Sequence, residues 1–179
     1  NGGPPLERGA ILLQNDTIKD VGTWESVLPP ENSIVHEIDY ANKTVMPGLV
    51  DCHVHLNGIG DGRLGNALDS LSDEILTLQA ARNARDHLYS GVTTVRDCGA
   101  KHQTTFMLRK AIQMGISTGP RLSLCGRPVS IIGGHLGYFG IEVTGADECR
   151  AAVRELIKEG ADFVMVKPGM PYLDIIRLI

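Results

Sequence analysis

Two histidines in the segment Asp51-Cys-His-Val-His-Leu56 have a spacing that suits metal ligands. Side chains two residues apart in a β-strand project from the same face, so His53 and His55 lie side by side if this segment is extended. Neutral imidazoles are favoured ligands of zinc and similar divalent cations. The alternative is a pair of strand histidines satisfied by hydrogen bonds, and the short pattern alone leaves both interpretations open.

The elements around this pair alternate between strand and helix. Repeated βα units predict a parallel sheet with right-handed crossovers, in which active sites lie at the carboxyl ends of the strands. The residues before Thr44 predict a hairpin around Asn15-Asp16 and a further strand at Ile34–Asp39. After Thr44, the predicted strands are Thr44–Cys52, Val92–Arg96, Arg121–Cys125 and Phe163–Val166, and the predicted helices run from a Ser70-x-x-Asp73 capping box to Ser90, over Thr104–Met114 and over Glu148–Glu159.

Two α/β architectures compete, an open doubly wound sheet and a (β/α)₈ barrel. The glycine-rich phosphate loops that are typical of open sheets are absent from the sequence. A full barrel takes about 250 residues, so four βα units correspond to half of one.

Composition excludes several classes of protein. The net charge of −4 provides no basic stripe for nucleic acid, and no apolar run approaches the length of a membrane-spanning helix. The four cysteines have no disulfide-framework spacing, which favours reduced thiols and a cytoplasmic location. The chain does not begin with Met, and we expect it to be truncated at both ends.

The segment Pro47-Gly-Leu-Val-Asp-Cys-His-Val-His55 resembles the P-G-[LIF]-[IV]-D-x-H-x-H motif of the amidohydrolase superfamily of metal-dependent hydrolases. Later segments resemble the branch of imidazolonepropionase and Xaa-Pro dipeptidases. The resemblance implies the first half of a (β/α)₈ TIM barrel in residues 46–179, preceded by part of a small β-sandwich in residues 1–45. The later segments are Gly91–Asp97, Gly119–Arg121, Gly133–His135 and Gly160–Asp162.

The resemblance also implies a chemistry. His53 and His55 would bind one or two divalent metal ions, with zinc the expected metal, and metal-activated hydroxide would attack an amide or related C–N bond of a small molecule, a dipeptide being one candidate. The remaining histidine ligands and the general-base aspartate would lie beyond Ile179. A mononuclear deaminase of the same superfamily and a non-catalytic truncated chain are the alternatives. We expect the complete protein to be a homo-oligomer.

Lys167 is the expected bridging ligand, although the sequence departs from the family pattern there. The family places a carbamylated lysine in G-A-D-x-[IV]-K, whereas Met165 occupies that position here and Lys167 follows two residues later. Two residues correspond to about 7 Å along a strand. A mononuclear site, or a solvated Lys167, would account for the same departure.

Three further polar residues complete the predicted site. By resemblance, His135 lines the substrate pocket from a glycine-rich loop. Arg127 is a candidate partner for a substrate carboxylate, because guanidinium groups bind carboxylates in a bidentate manner. Asp97 follows a predicted strand, and we interpret it as a hydrogen-bond acceptor for loop amides.

Overall fold

The computed structural model describes residues 3–40, 42–62 and 65–167. The chain divides into two compact units, Asn1–Met46 and Pro47–Ile179. The predicted second domain ends at residue 179, so its last part, residues 168–179, lies outside the described residues. All four cysteines are free thiols, as expected. No helix within the described ranges is long and apolar enough to cross a membrane.

The first unit contains the predicted hairpin. Strands β1 (Gly9–Gln14) and β2 (Thr17–Thr23) pair in antiparallel fashion. Asn15 turns the chain between them with a φ of 53°, a left-handed conformation that asparagine tolerates better than most residues. The predicted strand at Ile34–Asp39 is wrong. Ile34 is 93% exposed, and an extended segment without a pairing strand gains nothing to offset its ordering.

The second unit is built on a parallel sheet, as the βα pattern predicts. Strands β3 (Leu49–Val54), β4 (Val92–Asp97) and β5 (Arg121–Leu124) lie side by side in that order. Helix α1 (Asp73–Tyr89) connects β3 to β4, and helix α2 (Thr104–Gln113) connects β4 to β5. A 3₁₀ turn at Gly65–Leu68 precedes α1.

Two short strands and a helix follow the parallel sheet. Strand β6 (Val129–Ile131) pairs in parallel with β7 (Ile141–Val143), and helix α3 (Ala146–Glu159) comes next. Gly160 ends this helix with a φ of 98°, the left-handed conformation that commonly terminates helices at glycine.

The fourth predicted strand, Phe163–Val166, is reduced to a single bridge between Val166 and Val129. Its backbone is divided between two neighbours, and this prevents a continuous ladder from forming. The Asp162 N–H donates to the Leu124 carbonyl at 2.8 Å, at the end of β5. Further along, the Lys167 N–H donates to the Val129 carbonyl at 3.0 Å in β6. The predicted four-stranded parallel sheet is therefore a three-stranded sheet, and the fourth segment forms its bridge with β6 of the two-stranded sheet.

Helix α1 begins at a different serine from the predicted one. Ser72, rather than Ser70, is the N-cap, and its hydroxyl accepts from the Ile75 N–H. The face that covers the sheet carries Ala80 and Ala84, both with 0% exposure. Small residues one turn apart let the helix approach the strands closely. The core that results contains Val54, Leu56, Val95, Phe106, Leu108, Leu122 and Leu124, and a second cluster under α3 contains Val129, Val143, Cys149, Ala152 and Leu156.

Candidate metal centre

A bulge in β3 sets the position of the histidine pair. Asp51 pairs with Val95 and Val54 pairs with Asp97, so β3 advances three residues where β4 advances two. Such an extra residue bends a strand and re-aims its side chains. The sequence prediction assumed a regular strand, and the bulged strand still brings the two histidine rings close together. The rings of His53 and His55 stand 5.3 Å apart between centroids, in an edge-to-face arrangement.

The ring of His55 is held by a backbone carbonyl. Its Nδ1 lies 3.0 Å from the carbonyl oxygen of Gly99, in the turn after β4. A carbonyl only accepts hydrogen bonds, so this contact requires the proton on Nδ1 and leaves the lone pair of Nε2 free. A neutral imidazole with one bare nitrogen is the form that ligates metals.

The surroundings of His55 disfavour its protonation. Burial lowers its pKa most, and the Gly99 carbonyl opposes this shift. The positive charges of Lys167, His53 and His135 lower the pKa further. Four of the predicted site residues, His53, His55, His135 and Lys167, are thus close enough to influence one another electrostatically.

Lys167 is not a solvated lysine. The residue is only 6% exposed, and its charge acts on His55 and on the buried thiols of Cys98 and Cys125. Its charge therefore acts at the carboxyl end of the parallel sheet, although the strand predicted to carry it is not continuous. Its role as a bridging ligand stays a prediction.

His135 lies on the exposed loop between β6 and β7. The N–H of Gly133 donates to the Glu142 carboxylate at 2.8 Å, which ties the start of this loop to β7. The influence of His135 on the pKa of His55 places the two rings in one neighbourhood. An exposed imidazole beside the histidine pair is accessible to a substrate, and its role as a substrate contact stays a prediction.

Arg127 points elsewhere. Its guanidinium lies against helix α3, 2.9 Å from the carboxylate of Glu155 and 2.5 Å from that of Glu159. These two carboxylates raise the pKa of Arg127, although burial opposes them. A guanidinium that is already paired with two anions is a poor receptor for a third. This pairing argues against the predicted substrate contact.

Asp97 accepts a loop amide, as its position suggests. The Gly99 N–H donates to Oδ1 at 3.1 Å. The side chain is 1% exposed, and its Oδ2 has no hydrogen-bond partner in the described part of the chain. Burial raises the pKa of Asp97 to about 7, although the backbone amides of Gly99 and Leu56 oppose the shift.

Asn57, two residues after His55, is a support that the sequence analysis missed. It is 2% exposed, and its Nδ2 donates to the Leu76 carbonyl of α1 at 3.1 Å. Its Oδ1 accepts from the Lys101 N–H and the Thr104 hydroxyl. These contacts fix the loop after β3 to both helices. No pattern distinguishes this asparagine from any other loop asparagine in the sequence.

The described residues supply part of a metal site. Nowhere in ranges 3–40, 42–62 and 65–167 do three His, Cys, Asp or Glu side chains come together as a ligand group. The donors that do converge are the imidazoles of His53 and His55, with the amine of Lys167 nearby. Two imidazoles at one strand end suit a divalent cation whose other ligands come from elsewhere.

Comparison with known proteins gives a consistent family. The sequence model of the Amidohydrolase family matches residues 44–172. A curated relative, the ochratoxinase of Aspergillus niger, is 27% identical over 191 aligned positions, which cover 92% of this chain and 39% of that protein. The chain thus spans about two fifths of this relative.

Solved structures agree with the sequence comparison. The crystal structure of an amidohydrolase superposes with a TM-score of 0.75 at 32% identity, covering 88% of this chain and 41% of the other. A prolidase crystallised with N-methylphosphonate-L-proline superposes with a TM-score of 0.74 at 26% identity, covering 94% of this chain and 47% of the other.

Proposed function

Because this chain belongs to the amidohydrolase family, we propose that it supplies the N-terminal part of the active site of a metal-dependent hydrolase. The bond cleaved is an amide or a related C–N bond of a small molecule. The likeness to a prolidase crystallised with a proline phosphonate supports a dipeptide-like amide as the substrate class. The likeness to ochratoxinase supports hydrolysis more generally.

The observation that carries the proposal is the pairing of His53 and His55 at the carboxyl end of the parallel sheet, where their rings stand 5.3 Å apart and the charge of Lys167 acts on His55. His53 and His55 would hold a divalent metal, with zinc the expected ion. The free Nε2 of His55 and its lowered pKa fit this role, because both favour the neutral imidazole. When bound, such a cation supplies a Lewis acid that activates water and polarises the scissile carbonyl.

The same likeness supports a finer description of the fold. We propose that residues 46–179 form the first half of a (β/α)₈ barrel and that residues 1–45 belong to a small β-sandwich. The histidine pair at the carboxyl end of β3 then takes the position where barrel enzymes place their catalytic groups. Further ligands and the general base would come from the second half of the barrel, in a complete protein that we propose is a homo-oligomer.

Lys167 distinguishes a two-metal hydrolase from a one-metal deaminase. A buried lysine whose charge acts on the imidazole of His55 suits a bridging ligand. We expect Lys167→Met to lower the metal content of the complete protein from two equivalents to one, because the variant keeps the chain volume and removes the amine. Elemental analysis measures this. A wild-type protein with a single equivalent, unchanged in Lys167→Met, would favour the deaminase.

His135 is proposed as a substrate contact rather than a metal ligand. We expect His135→Ala to lower kcat/KM on a dipeptide-like substrate by about tenfold or more, the loss typical of a removed binding hydrogen bond, while the metal content stays intact. Steady-state kinetics and elemental analysis on the same preparation test both halves. Loss of metal would identify His135 as a ligand instead. His87→Ala, which alters an α1 histidine bonded to the Asn83 carbonyl, is the matched control.

A further inference from the structure

The turn after β4 directs one carbonyl group at the ring of His55. The carbonyl belongs to Gly99, and among the described residues it is the only hydrogen-bond acceptor that the His55 ring contacts. Around it, each backbone N–H from residue 98 to residue 101 is used in a hydrogen bond. The acceptors, in order, are the Val54 carbonyl at 2.8 Å, Asp97 Oδ1 at 3.1 Å, the Gly126 carbonyl at 3.0 Å and Asn57 Oδ1 at 2.9 Å.

Gly99 does not set the direction of its own carbonyl. Its φ is 152°, in a region that side-chain-bearing residues rarely adopt. Glycine moves through such conformations at little cost, so its peptide groups point where neighbouring hydrogen bonds hold them. The N–H of Gly99 belongs to the peptide shared with Cys98 and donates to Asp97 Oδ1, whereas its carbonyl belongs to the peptide shared with Ala100, whose N–H donates to the Gly126 carbonyl at 3.0 Å. Both anchors are needed to fix where the carbonyl points.

One of these anchors is the carboxyl of Asp97, at the end of β4. Its Oδ1 accepts the N–H of Gly99 at 3.1 Å, and the side chain is 1% exposed. The residue that carries the carbonyl is thereby tied to a buried side chain of the strand that precedes it. A buried carboxyl with an unpartnered oxygen is a costly occupant of an apolar site, and its hydrogen bond to the Gly99 N–H is the contact that accounts for its presence there.

We propose that Asp97 is a positioning residue for His55: by holding the Gly99 N–H it fixes the turn whose carbonyl keeps the proton on Nδ1 and the lone pair of Nε2 free for a divalent cation. What Asp97 contributes is an acceptor oxygen at a fixed place. The neutral acid and the carboxylate both provide such an oxygen. Asparagine has nearly the same shape and provides it as well. The metal-binding part of the inference rests on the function proposed above, whereas the tautomer of His55 is a property of the metal-free protein.

The test compares Asp97→Ala with Asp97→Asn in the complete protein. The tautomer of His55 is recorded by NMR on metal-free protein labelled with ¹⁵N-histidine, with His55→Gln used to assign the resonances. Zinc affinity is measured by competition with a chelator. We expect Asp97→Ala to give a mixture of tautomers and to raise the Kd for zinc about 10–100-fold, as the loss of a group supporting a ligand does. Asp97→Asn should keep the Nδ1–H tautomer and a Kd within about threefold of the wild type, because the acceptor is retained.

Leu108→Val is the matched control, since it loosens the buried core without touching the turn. It should lower the thermal midpoint and leave the His55 tautomer and the Kd for zinc unchanged. The proposal is overturned if Asp97→Ala keeps the Nδ1–H tautomer of His55 and the wild-type Kd for zinc. It is also overturned if Asp97→Asn loses as much zinc affinity as Asp97→Ala, or if Leu108→Val shifts the tautomer as far as Asp97→Ala does. If Asp97→Ala does not fold, Asp97→Ser replaces it, because serine is too short to reach the Gly99 amide. A wild type that binds no zinc, yet whose His55 tautomer depends on Asp97, contradicts the proposed function and leaves the role of Asp97 standing.

Discussion

Alanine in place of either His53 or His55 is expected to strip the divalent metal from the complete protein and to abolish hydrolysis. The two rings stand 5.3 Å apart and are the imidazole donors that this part of the chain brings to the site. Zinc sites in enzymes hold the ion with about three protein ligands, so the loss of one leaves too few. The affinity should fall well beyond the roughly 10–100-fold that follows from altering a group which only supports a ligand.

Elemental analysis and steady-state kinetics on the complete protein measure this effect. Asp51→Asn is the graded comparison. Asp51 Oδ1 accepts the His53 N–H at 3.0 Å, and asparagine preserves an acceptor there, so we expect a loss of at most about tenfold in metal affinity. Full metal occupancy in both histidine variants would refute the metal centre. An Asp51→Asn protein as depleted as the histidine variants would show that Asp51 itself is a ligand.

The histidine pair could be predicted because its spacing and its place after an apolar strand are local properties. The alternation of strand and helix and the hairpin at Asn15 are local in the same sense. The bulge between Asp51 and Val54 could not be predicted. It depends on how β3 pairs with β4, about 40 residues later in the chain, and no residue in β3 marks the extra position.

The two wrong strand predictions share a cause. Ile34–Asp39 and Phe163–Val166 both have the composition of strands, and composition indicates an extended segment without showing that a pairing strand is available. The first has no partner in the described part of its unit. The backbone of the second is divided between the end of β5 and β6, which leaves one bridge at Val166.

Long charged side chains were the least predictable part of the site. Arg127 and Lys167 have enough rotatable bonds to reach several surroundings, and tertiary packing decides between them. Arg127 pairs with the two glutamates of α3, whereas Lys167 is buried and its charge acts on His55. The Gly99 carbonyl that orients His55 is a backbone atom and has no side-chain signature in the sequence. Asp97 was recognisable as an amide acceptor, but the ring that depends on that amide became visible only in three dimensions.

Substituting Gly99 by alanine should weaken zinc binding. A Cβ at Gly99 would lie 3.2 Å from both Cε1 and Nδ1 of His55 and 3.5 Å from the ring of Phe139. The imidazole must shift by a few tenths of an ångström to relieve this contact, and the shift strains its hydrogen bond to the Gly99 carbonyl and turns the ring away from its position in the wild type. We expect the zinc affinity of the complete protein to fall about tenfold or more. The φ of 152° adds strain worth about 1–3 kcal/mol of folding stability.

Gly115→Ala is the control that separates the effect of backbone strain from the effect of displacing the His55 ring. Gly115 also has a positive φ, 72°, but no described atom lies within 4 Å of a Cβ built there. This variant should lose about 1 kcal/mol of stability to backbone strain and bind zinc as the wild type does. Urea unfolding measures the free energy of unfolding, and competition with a chelator measures the zinc affinity. If Gly99→Ala loses stability but keeps its zinc affinity, the close approach between this turn and His55 has no bearing on the metal centre. If its affinity falls while Gly115→Ala keeps wild-type binding, the turn is required for the imidazole to face the cation.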